Sequence, residues 1–190
     1  MRTDAQDAQD ATIDAGGGVL LYRFEATLDV NVVGLVPEGL LMSNPFEGRV
    51  TAGSFMGARV WGTDPFLLRR DGVGVVDVPK TISGDGFHIA EHVRAYALPP
   101  EGLELPPLEA LLAPGFQWPD VDFPIHGSST FRAAASDLTW LNRAVARVDG
   151  TANMATGALV IETRILDYRP PAAGIGTEAA GGRQLTVAAG

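Results

Sequence analysis

The residues of this chain with the means to move protons gather on two neighbouring stretches, Val75-Val76-Asp77-Val78 and Phe87-His88-Ile89-Ala90-Glu91-His92-Val93-Arg94-Ala95-Tyr96. On a strand, alternation places His88, Ala90, His92, Arg94 and Tyr96 on one face and Phe87, Ile89, Glu91, Val93 and Ala95 on the other. The first face has two readings. Either it is a solvated sheet surface, or it lines the inside of a barrel, where His88 or His92 would serve as acid or base near neutral pH. Asp77 is a mid-strand carboxylate, a place where Asp is disfavoured, so it needs solvent or a partner. Arg69, across the Asp71-Gly72 turn, is the expected ion-pair partner. Desolvated in an apolar lumen, Asp77 would instead be a base, with Arg69 or Arg94 holding developing negative charge.

Further along, Trp140 and Asn142 are candidate ligand contacts. Their structural alternatives are a plug at one barrel end for the Trp and a closed turn for the Asn. Asp64, between Gly62-Thr63 and Pro65, reads as a turn residue. Tyr22 and Glu25 fall on opposite faces of the first strand, so at most one of them faces a lumen, and Glu162 is open in the same way. Two His four apart on a strand stand about 13 Å apart at ~3.3 Å per residue, too far to share a metal. The chain has three His and no Cys, so no metal site is expected. It has no G-x-G-x-x-G opening a helix and no Walker loop, and no G-x-S-x-G elbow. A His-Glu-x-x-His helix is absent as well. No cofactor is expected.

The elements that must position these residues are strands. Of 190 residues, 46% are hydrophobic and 19% charged, with 23 Gly and 13 Pro. That mixture suits many short strands and turns. Strand signals occur at Val19–Val30, 48–52, 59–61, 66–70, 73–82, 87–98, 128–134, 143–149 and 158–167. Asp71-Gly72 and Asp85-Gly86 are hairpin turns that make 66–98 a three-stranded meander. A Pro-rich crossover spans 99–124, with a helical turn expected at 108–113, and a second short turn of helix is expected at 136–142. The expected fold is therefore all-β, an antiparallel barrel or closed sandwich of about eight to nine strands over residues 19–168. Residues 1–18 and 169–190 lack an apolar face and read as mobile tails, although Leu185-Thr186-Val187 could add an edge strand. The net charge of −9 argues against nucleic acid. No apolar run is long enough to span a membrane as a helix, and residues 1–18 contain no secretory h-region, so the expected location is cytoplasmic.

The ordered set Ala52-Gly53-Ser54-Phe55-Met56-Gly57, Arg59-Val60-Trp61-Gly62, Asp64, Arg69, Asp71-Gly72-Val73, Asp77, Phe131-Arg132 and Trp140-Leu141-Asn142-Arg143 resembles the domain of unknown function 3237 family. The resemblance covers about residues 19–168. Pro65 and Pro79 depart from the family's usual Trp and Arg. The resemblance implies an antiparallel β-barrel and little about activity.

Small barrels are either filled by side chains or hold one small ligand. The expected function is a cofactor-independent acid–base enzyme, an isomerase, cyclase, dehydratase or lyase, acting on a small hydrophobic or aromatic carbonyl compound. Two alternatives are a carrier of such a molecule and a structural domain that docks through 103–113. If the chain forms a homodimer, an exposed strand or the crossover would make the contact.

Overall fold

The computed structural model describes residues 18–166. The tails expected on either side, with Leu185-Thr186-Val187, lie outside the described residues. Eleven strands form: β1 (Val19–Leu28), β2 (Val32–Val36), β3 (Gly39–Met42), β4 (Asn44–Gly53), β5 (Arg59–Asp64), β6 (Leu67–Arg69), β7 (Gly74–Gly84), β8 (Phe87–Ala97), β9 (Phe123–Ala133), β10 (Val145–Ala152) and β11 (Ala158–Ile165). Eight of them close on themselves in the order β7-β5-β4-β1-β11-β10-β9-β8, with β8 pairing back to β7. Closure leaves the barrel wall without an unpaired edge. Every ladder is antiparallel.

The remaining strands extend one side of β7 through β6, β3 and β2. The strand signals of the sequence include none over 32–42. The structure shows two short strands there instead. β5 pairs with Lys80–Ser83 at Arg59–Gly62, and β6 pairs with Gly74 and Val75, so the ladder on this flank of β7 is interrupted between them. Pro79, which has no N–H to donate, sits in that interval. Asp64, Pro65 and Phe66 cross the seam.

Burial follows the pleat. On β7, Gly74, Val76, Val78, Lys80 and Ile82 are buried while Asp77 and Pro79 are exposed. On β8, Ile89, Glu91, Val93, Ala95 and Ala97 are buried while His88, Ala90, His92, Arg94 and Tyr96 are exposed. The two helical turns form as 3-10 helices at Leu108–Leu112 and Ser136–Arg143. Leu108 and Leu111 turn inward, while Leu112 is exposed. No helix among the described residues is long and apolar enough to cross a membrane.

Candidate functional site

The barrel interior divides into a filled half and an open half. In the filled half, Phe24, Tyr22, Phe55 and Phe87 pack in that order through tilted ring contacts, with centroids 5.3–6.2 Å apart. Toward the other end the inward positions become small. Gly74 of β7 lies opposite Ala97 of β8, and Ala152 of β10 is also buried there. Where these side chains stop, a cavity of about 60 Å³ remains, several times the space one water needs. Its walls are almost wholly apolar, and Leu105 and Trp118 of the crossover close over it. Gly74 is required for this shape. A Cβ there would lie 2.2 Å from the ring of Phe66, which lines the same cavity.

Two polar side chains line the cavity, Asp64 and Lys80. Asp64 closes β5 at the wall seam, and its Oδ1 is buried with no hydrogen-bond partner. Burial first, and the nearby Asp77 carboxylate second, push its carboxyl up to about 7. Lys80 is directly opposite Glu91 across the β7–β8 ladder, and both side chains are essentially inaccessible. The Lys80 Nζ is 3.4 Å from Glu91 Oε1, and 4.6 Å and 5.4 Å above the rings of Phe24 and Tyr22. Those ring faces offer a buried ammonium some of the attraction lost with water. Burial still lowers the Lys80 pKa, against the opposing pull of Glu91. The Tyr22 hydroxyl donates to Glu91 Oε2. Burial, then the Glu91 charge, raise that phenol well above its ordinary 10.0. Ser129 Oγ, like Asp64 Oδ1, is buried without a hydrogen-bond partner among the described residues. Such atoms are uncommon in a finished interior and mark places that water or a ligand completes.

The barrel is shared by other proteins. No family model matches the chain, and no curated protein matches it. Solved structures do. A protein of unknown function from Clostridium acetobutylicum aligns over 78% of this chain and 95% of its own, with TM-score 0.61 and 17% identity. A conserved protein of unknown function from Rhodopseudomonas palustris aligns over 77% and 95%, at TM-score 0.57 and 19% identity. A β-barrel-like protein from Acinetobacter baumannii aligns over 78% and 94%, at TM-score 0.57 and 21% identity. At these identities the likeness shows the fold.

The residues singled out from the sequence lie elsewhere than the lumen. Asp77, His88, His92, Arg94 and Tyr96 all point outward, because the buried set of each strand is the other one. Asp77 binds His92 through Nε2 and stands 3.7 Å from Arg94. The expected Arg69–Asp77 pair does not form. Arg69 pairs with Asp71 within its own turn, because β6 meets β7 only at Gly74 and Val75. Asn142 closes a turn: its Oδ1 accepts the Ala133 N–H at 2.7 Å and its Nδ2 donates to Ala133 O at 2.9 Å. Trp140 packs half-buried on the core, and the Trp over the cavity is Trp118.

The residues that sequence reasoning passed over had one legible signal each. Glu91 stood on the apolar face of β8, a charge among Ile89, Val93 and Ala95. Lys80 is the single lysine of the chain, against thirteen arginines. Asp64 had no such mark, since its burial comes from the seam.

Proposed function

We propose that this protein binds a small hydrophobic or aromatic carbonyl compound in the barrel lumen and performs cofactor-independent acid–base chemistry on it, of the isomerase, cyclase, dehydratase or lyase kind. The observation that carries this reading is the Asp64 carboxyl. It lines an apolar cavity, lacks a partner on Oδ1, and is pushed by burial up to about 7. A carboxyl so poised exchanges a proton with a substrate C–H or O–H at neutral pH. Lys80, on the same cavity, supplies the positive group toward which a carbonyl oxygen would turn. The apolar walls exclude water and select ligands with few polar atoms.

The test needs no knowledge of the natural substrate. Solvent deuterium exchange at the α-carbon of phenylacetaldehyde, followed by NMR, reports proton abstraction. The wild type is expected to accelerate it, and Asp64→Asn to lose at least ~100-fold of that acceleration while still retaining the aldehyde. Retention with no acceleration by the wild type would favour a second reading, a carrier. That reading rests on the apolar lining, in which only two side chains are charged or ionisable.

A further inference from the structure

We propose that Lys80 is a covalent nucleophile that forms an imine with an aldehyde or ketone held in the lumen. The inference rests on the lumen-binding reading above and goes beyond it in assigning a bond.

The chain has one lysine and thirteen arginines, and the lysine is the cation placed in the core, 4% exposed. Arginine serves in the ion pairs outside the lumen, such as Arg59–Glu47 and Arg70–Glu109. A guanidinium stays protonated in proteins and cannot be a nucleophile, whereas an amine can shed its proton when desolvated. A buried Lys–Glu pair is a poor device for stability, since desolvation of two ions offsets most of their attraction. Glu91 Oε1 is 3.4 Å from Nζ, while Oε2 accepts from the Tyr22 hydroxyl. Glu91 is thus fixed in place with one oxygen facing the amine, the arrangement of a proton acceptor. Lys80 meanwhile lines the apolar cavity described above.

The step balances without an oxidant or cofactor. The ammonium gives one proton to Glu91 Oε1. The free amine adds to the carbonyl carbon, forming C–N as the C=O π pair moves to oxygen. That oxygen leaves as water with the two protons the nitrogen surrenders, Asp64 relaying one of them in its neutral form. A carbon–nitrogen double bond remains, and Glu91 can return its proton to the imine nitrogen. The resulting cation withdraws electrons from the adjacent C–H, the bond that Asp64 would break once it has released its own proton with the departing water.

Benzaldehyde with cyanoborohydride at pH 7 tests this on the whole folded chain. Lys80 and the N-terminal amine are the only primary amines, so peptide mapping by mass spectrometry resolves both. The expected result is a benzyl adduct on Lys80, forming about tenfold or more faster in the folded protein than at the same residue in urea. A structural lysine would give the opposite order, protected when folded and reactive when unfolded, and that would overturn the proposal. Retention of benzaldehyde by native mass spectrometry with an adduct on the N-terminal amine alone would also overturn it, and would leave lumen binding standing. Neither retention nor Lys80 adduct would remove both. Lys80→Met should abolish the internal adduct, and the wild-type map decides the matter if that variant does not fold.

Discussion

At the scale of single residues, the lumen charges set the pH behaviour of the fold. Asp64 has a folded pKa of about 7 against an ordinary 3.8. Between those values the unfolded chain has lost this proton and the folded chain keeps it, so folding takes up a proton and stability falls as pH rises from about 4 to about 7. Asp64→Asn removes that slope. The variant is expected to be more stable than wild type at pH 8, by up to ~4 kcal/mol, with the gain shrinking toward pH 5; urea melts at both pH values measure it. Lys80 and Glu91 should behave as a unit. Lys80→Met strands a buried carboxylate and should cost ~3–5 kcal/mol. Adding Glu91→Gln should recover most of the loss, and a double-mutant cycle reads the coupling.

At the scale of elements, the register between β7 and β8 decides which residues share the interior. Lys80 faces Glu91 inside, and three positions along, Asp77 faces Arg94 outside. Because Asp77 is about half exposed, Asp77→Asn should cost under ~1 kcal/mol and leave α-proton exchange unchanged, as chemical melts and the NMR assay would show. The small residues Gly74, Ala97 and Ala152 on the cavity wall hold it open. Gly74→Ala should force the Phe66 ring inward at a cost of ~1–3 kcal/mol, with loss of aldehyde retention in native mass spectrometry.

At the scale of the whole molecule, barrel closure and the crossover together make a site. The strands provide walls on all sides, and residues 99–122 bring Leu105 and Trp118 across the open end. A ligand that fills the cavity should therefore change Trp118 fluorescence. At 100-fold over its Kd it should raise stability by about 2.7 kcal/mol, which thermal melts would register. Leu105→Trp, which places a larger side chain over the cavity, should reduce both effects while preserving the fold.

The sequence by itself determined the strands of the barrel and the composition of their two faces. Alternation on β8 separated Glu91 from His88, His92 and Arg94, and the Asp-Gly turns joined β6, β7 and β8 into a meander, because pleat period and turn chemistry are local properties. What alternation cannot say is which face becomes the inside. Only closure of eight strands decided that, by turning the set with more apolar area inward, and it carried Glu91 and Lys80 with it while leaving the histidines in water. The short strands β2 and β3 depend on the pairing of β3 with β6, some thirty residues along the chain, a contact that the local sequence around Gly34 and Gly39 does not announce. Asp64 owes its burial to a gap between β5 and β6 on one flank of β7. Its chemistry therefore belongs to the tertiary structure, since desolvation comes from neighbours that are distant in the chain.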